Sequence, residues 1–92
     1  MTAMIKSEIT IINKLGLHAR AAAKLVNTAS AFSSQIQLGN EQRMVDAKSI
    51  MSVMMLAASK GTTLNIEVEG RDEDAALKAI EEIVNDKFGE GE

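Results

Sequence analysis

Two stretches of the chain, "MIKSEITII" at residues 4–12 and "TLNIEVEG" past its middle, alternate apolar and polar residues with a period of two. A strand with that pattern buries one face and wets the other, so a sheet made of such strands needs a covering layer on one side only. In the first, Ile5, Ser7, Ile9 and Ile11 share a face opposite Lys6, Glu8 and Thr10. In the second, Leu64, Ile66 and Val68 point inward, with Asn65, Glu67 and Glu69 outward. The covering layer must come from the segments where the period changes.

Those segments are helical in spacing. Ala22, Leu25, Val26, Ala29 and Phe32 recur at steps of three and four, predicting a helix from Ala19 to Phe32 that begins at or just after His18. "SQIQLGNEQRMV" reads as a hairpin, with Ile36 and Leu38 inward, Gly39 and Asn40 in the turn, and Arg43 to Val45 returning. Ser49 then caps "IMSVMMLAA", where Ile50, Val53, Met54 and Ala57 make a short second helix that Gly61 is expected to stop. The longest helix is expected from Asp72 to Phe88, with an apolar stripe through Ala76, Leu77, Ile80, Ile83 and Val84 and an acidic start that suits the helix dipole. Residues 88–92 are expected to fray as an acidic tail. The order β-α-β-β-α-β-α predicts an α+β open-faced sandwich, a four-stranded, mainly antiparallel sheet covered on one face by three helices, in a single domain over residues 1–92.

Composition narrows the function classes. A net charge of −3, with no Trp, no Tyr and two Phe, supplies neither the basic patch nor the stacking rings that nucleic acid needs. The chain lacks cysteine, which removes disulfides, thiolate nucleophiles and most zinc-site chemistry, so neither metal nor cofactor is expected. Its apolar runs fall short of the ~20 residues of a membrane span, and "MTAMIKSEITIINK" has no apolar signal core, so a cytoplasmic protein without membrane insertion is expected.

The chemistry concentrates in "KLGLHARAAAKL", which holds the sole histidine. A helix start leaves backbone N–H groups without intrahelical partners and carries roughly half a positive charge, which makes it a natural place for an anion. A phosphoryl group added to His18 would meet those N–H groups. Gly16 allows a tight turn ahead of the histidine, and the Arg20 guanidinium could reach phosphate oxygens. A cation in a first helical turn is mildly unfavourable, by about 0.3–1 kcal/mol, and a local anion would account for it. A lone histidine at a helix start is, however, more often a cap or a surface residue than a nucleophile.

"GLHARAAAKLV", followed by "AKSIMSVMMLAASKGT" and "EGRDEDAALKAI", resembles the HPr family, the histidine phosphocarriers of the bacterial phosphoenolpyruvate-dependent phosphotransferase system, over the span from Ile5 to Phe88. The resemblance implies a stoichiometric carrier rather than a turnover enzyme. It would take a phosphoryl group from phosphorylated enzyme I onto Nδ1 of His18 and pass it to enzyme IIA proteins, with Arg20 neutralising the phosphate and Gly16, Ala19 and Arg20 framing it. Leu15, Leu17, Ile50, Met51 and Met54 would form the docking surface. At helical spacing, at least one of Met51, Met54 and Met55 should be buried, and Met51 is the one expected to be exposed.

Ser49 matches the serine that an HPr kinase/phosphorylase modifies in many relatives, which would place a regulatory phosphate beside the docking face. Two departures stand out: Ala21 where many relatives have proline, and Ser52 where glycine is common in the serine-regulated group. A carrier devoted to nitrogen regulation, or a non-catalytic binding module in which His18 is only a cap, are the alternatives. A small acidic carrier that must expose its docking face is expected to be a monomer.

Overall fold

The computed structural model describes residues 4–92. Its elements are β1 (Ile5–Thr10), α1 (Ala19–Ser30), β2 (Gln35–Gly39), β3 (Met44–Asp46), α2 (Ile50–Met55), β4 (Thr63–Glu69) and α3 (Glu73–Asn85), followed by one 3-10 turn at Lys87–Gly89. The strands form one sheet in the order β1-β4-β2-β3, with each neighbouring pair antiparallel. The expected open-faced sandwich is therefore the fold.

The last strand of the chain is inserted between the first and second. Ile5, Ser7 and Ile9 of β1 face Val68, Ile66 and Leu64 of β4, and on its other side Val68 and Ile66 face Ile36 and Leu38 of β2. This inner position is why Leu64, Ile66 and Val68 are buried, as are Ile36 and Leu38 of the other inner strand, while Ile5 at the edge stays half-buried. Lys6, Glu8 and Thr10 lie exposed on the opposite face. The core fills the space between the apolar ladder and the helices, which contribute Ala21, Ala22, Leu25 and Ala29 from α1, Val53 from α2, and Ala76, Ile80 and Val84 from α3. Each large aliphatic side chain buried there contributes about 1.5–3 kcal/mol.

Between β2 and β3 the carboxamide oxygen of Asn40 accepts the N–H groups of Gln42 and Arg43, each at 2.9 Å, and so builds the turn read from "GN". α1 ends at Ser30, and the return strand β3 lies one residue later than expected, at Met44–Asp46.

Larger differences occur at two chain reversals. α2 stops at Met55, well before Gly61, because Ala57 takes a left-handed conformation with φ of 51°. That conformation costs an alanine about 1–2 kcal/mol. The early stop lets buried Ala58 turn its carbonyl toward the loop after β1, where it accepts the N–H of Leu17 at 2.8 Å. With so short a helix only Val53 faces the core, and Met51, Met54 and Met55 are all exposed, contrary to the expectation of a buried methionine.

The second reversal is at the tail. Residues 88–92, expected to fray, lie folded back against the domain. α3 ends at Asn85, Lys87 and Phe88 take positive φ of 55° and 54°, and the chain folds back so that Phe88 is 1% exposed. Lys24 of α1 donates its ammonium to the Phe88 carbonyl at 2.6 Å, and the N–H of Lys14 donates to the Glu92 oxygen at 2.8 Å. A buried aromatic ring and these hydrogen bonds outweigh the polarity that made the tail look loose.

Candidate functional site

Past β1 the chain keeps its inward register. Ile11 is buried, its N–H donating to Thr62 O at 2.9 Å while its carbonyl accepts from Gly61 N–H at 2.7 Å. Two residues on, the inward position holds Asn13, which is 0% exposed. Asn13 clasps the following turn: its carbonyl accepts the N–H of Gly16 at 3.2 Å, and its side-chain Nδ2 donates to Gly16 O at 2.8 Å. Gly16 has φ of +70°, and a Cβ there would lie 2.5 Å from the Ala58 carbonyl oxygen. Only glycine combines that conformation with so close an approach.

The turn delivers His18 as the N-cap of α1, with extended backbone at φ −74° and ψ 178°. Its carbonyl accepts the N–H of Ala22 at 2.8 Å. Its ring nitrogen Nδ1 accepts the N–H of Arg20 at 3.3 Å, a long bond of the kind a Ser or Asp oxygen usually makes at this position. α1 has no acidic residue in its first turn. Arg20 is exposed and has no carboxylate partner among the described residues. The His18 side chain is 30% exposed and opens into a cleft of about 650 Å³ lined also by Lys14, Leu15, Ala19, Arg20 and Glu90.

The ring's other nitrogen faces the returning tail. Nε2 of His18 pairs at short range with Oε2 of Glu90. The second carboxylate oxygen of Glu90 accepts from Asn13 Nδ2 at 2.9 Å. The Asn13 hydrogen bond, helped by the hydrogen bond with His18 and by the charge of Lys24, holds the Glu90 carboxyl below its ordinary range, against the opposing effect of burial. The side-chain oxygen of Asn13 has no hydrogen-bond partner among the described residues.

Gly16, His18, Ala19 and Arg20 thus meet around one helix start, with Leu15 exposed at the rim. Ile50, Met51 and Met54 are exposed on α2, which packs against α1. Leu17 is a correction: expected on the docking surface, it is 5% exposed and belongs to the core, because the Gly16 turn and the bond to Ala58 point it inward. Ser49 caps α2, its Oγ accepting the N–H of Ser52 at 3.4 Å. Sequence reading missed Asn13 and Glu90. Asn13 had a signal, since it continues the inward alternation of β1 with a polar residue; Glu90 had none beyond the nearby Phe88.

No helix among the described residues is long and apolar enough to cross a membrane. Residues 5–86 match the family model of the PTS HPr component phosphorylation site. The chain is 59% identical over 86 residues to the phosphocarrier protein HPr of Pseudomonas aeruginosa, covering 92% of this chain and 96% of that one. It is 53% identical over 89 residues to the phosphocarrier protein HPr of Cupriavidus necator, covering 97% of this chain and all of the relative (100%). The crystal structure of an HPr from Thermoanaerobacter tengcongensis superposes with a TM-score of 0.89 at 48% identity, covering 94% of this chain and 97% of that one.

Proposed function

The chain belongs to the HPr family, the phosphocarriers of the bacterial phosphotransferase system, and from that premise we propose that His18 accepts a phosphoryl group from phosphorylated enzyme I and passes it to enzyme IIA proteins in the cytoplasm. The observation that supports this reading is the pattern of donors and positive charge at the start of α1. Nδ1 of His18 lies against the Arg20 N–H, no acidic side chain occupies the first turn, and Arg20 stands exposed in the same cleft.

The Nδ1 lone pair attacks phosphorus in line with the bond from the donor's phosphohistidine. As the new N–P bond forms, the old one breaks and its electron pair returns to the donor nitrogen. The transition state is loose, so positioning and charge stabilisation supply most of the acceleration. Backbone N–H groups of the first turn and the Arg20 guanidinium meet the transferred oxygens. The N–P bond remains exchangeable, and transfer to the enzyme IIA acceptor runs the same step in reverse. A small carrier needs no substrate pocket, and it serves as a monomer, without cofactor or metal.

Docking is assigned to Leu15, Ile50, Met51 and Met54, whose exposure beside the histidine gives partners a flexible apolar contact. A phosphate on Ser49, placed there by an HPr kinase/phosphorylase, would sit at the start of α2 and repel acidic partners from that face.

The test is labelling from phosphoenolpyruvate through enzyme I. One acid-labile, alkali-stable phosphate is expected on the wild type and none on His18→Ala. A wild type that stays unlabelled beside a competent enzyme I sinks the reading.

A further inference from the structure

The ring of His18 is held from both sides, by partners that demand opposite things of its two nitrogens. Arg20 N–H points at Nδ1, and a donor needs a lone pair there. A Glu90 carboxylate faces Nε2, and an acceptor needs a proton there. Both contacts select the same tautomer, with the proton on Nε2 and the lone pair on Nδ1. Glu90 is fixed in turn by buried Asn13, which also clasps the Gly16 turn that sets the start of α1. Phe88, buried and tied by its carbonyl to Lys24, anchors the tail that brings Glu90 across the chain.

We propose that Glu90 is a positioning residue for phosphoryl transfer, holding the Nε2 proton of His18 so that Nδ1 is the nucleophile and balancing the positive ring that phosphorylation creates. The role rests on the carrier reading. When Nδ1 bonds to phosphorus while Nε2 keeps its proton, the ring becomes formally cationic; no proton has to leave, and the donor ring takes back its own electron pair. A carboxylate against Nε2–H stabilises that charge in the product and in the transition state leading to it, as the buried aspartate does for the histidine of a hydrolase triad. In the reverse step the same contact keeps the ring protonated, so that it departs as a neutral imidazole.

Two variants separate orientation from charge. In Glu90→Gln the amide oxygen can still accept from Nε2–H but carries no charge, whereas Glu90→Ala removes both functions. Ring ¹⁵N NMR of the unphosphorylated protein should show the Nε2–H tautomer in the wild type and in Glu90→Gln, and a shift toward a tautomer mixture in Glu90→Ala. Stopped-flow acceptance from phosphorylated enzyme I should slow about tenfold in Glu90→Ala, in kcat more than KM, with a smaller loss in Glu90→Gln. Wild-type ring shifts together with a wild-type acceptance rate in Glu90→Ala overturn the proposal. Glu90→Gln transferring as fast as wild type removes the charge-balancing half of it. A wild type that accepts no phosphate condemns the carrier reading instead, and the ring shifts alone then decide whether Glu90 sets the tautomer.

Discussion

The starts of α1 and α3 pose the same electrostatic problem and receive opposite treatment. At α3 the chain supplies its own anions: Glu73 and Asp74 occupy the first turn, Glu73 accepts the N–H of Gly70 at 3.1 Å, and Asp72 accepts the N–H groups of Ser33 and Ser34, each at 2.9 Å. At α1 the first turn holds no carboxylate and carries Arg20 instead, with an imidazole as its cap. Two helices of similar length in one small protein show that the difference in charge is local. A helix start that serves only stability is neutralised from within. At α1 a carboxylate arrives from the tail instead: Glu90 pairs with His18 Nε2 and Asn13, while the first turn itself keeps its cation, at a stability cost of about 0.3–1 kcal/mol.

The largest expected effect comes from destroying the turn that aims α1. Gly16→Ala places a side chain at φ +70° with its Cβ 2.5 Å from the Ala58 carbonyl oxygen, a backbone atom that cannot swing aside. The left-handed penalty plus the clash should destabilise the fold by about 2–4 kcal/mol, read as a lower urea midpoint. A midpoint within about 0.5 kcal/mol of wild type would mean that the turn adapts and that the start of α1 is not rigidly set. The start of α3 has a counterpart in Gly70, with φ of +152° and an added Cβ 2.7 Å from Ser34 Cα, so both helix starts lean on a glycine and the contrast between them lies in charge alone.

Next in size is an exchange that gives α1 the composition of α3. Arg20→Glu puts a carboxylate in the first turn and removes the cation, so stability should rise by about 0.3–1 kcal/mol. Phosphoryl acceptance should fall about a hundredfold, because the carboxylate repels the incoming group and no guanidinium meets its oxygens. Thermal melts and transfer rates of one variant therefore move in opposite directions. Loss of both together, or retention of both, would break the inference that the charge pattern of the α1 start serves the phosphate.

The contrast between the two helix starts was already visible in the sequence, since Asp72, Glu73 and Asp74 stand where "HAR" has none of their kind. The elements were legible because the side-chain period switches cleanly between two and 3.6. Strand order was not, because placing β4 between β1 and β2 depends on crossovers that pattern does not record. Leu17 was misread for a related reason: its neighbours Leu15 and His18 are open to solvent, and only the bond from its N–H to Ala58 O decides that it turns inward. The three exposed methionines follow from a helix cut short by Ala57, a residue whose left-handed conformation nothing local predicts. Glu90 was hidden most completely, since it reaches His18 from the far end of the chain through a buried Phe88 and an acidic "GEGE" that looks solvated.

The smallest effect, and the one that isolates the α3 side, is the acid response of Asp72. The Ser34 hydroxyl, followed by the N–H of Ser33, holds its carboxyl down at about 2, against an ordinary 3.8. A carboxylate with a depressed folded value stabilises fully above its unfolded value and loses that contribution as pH falls through the folded one. The stability difference between wild type and Asp72→Asn should therefore be flat above about pH 4 and shrink steadily toward pH 2. Solvent beside the α3 start screens the charge, so the amplitude should be below that of the Gly16 and Arg20 variants. Carboxyl ¹³C NMR should find the Asp72 midpoint near 2; a midpoint at 3.8 would mean that the Ser33 and Ser34 bonds do not hold in solution and that α3 is neutralised by Glu73 and Asp74 alone. Asp72 lies outside the cleft at His18, so its midpoint reports on the start of α3 alone and sets the baseline against which the Arg20 variant is read.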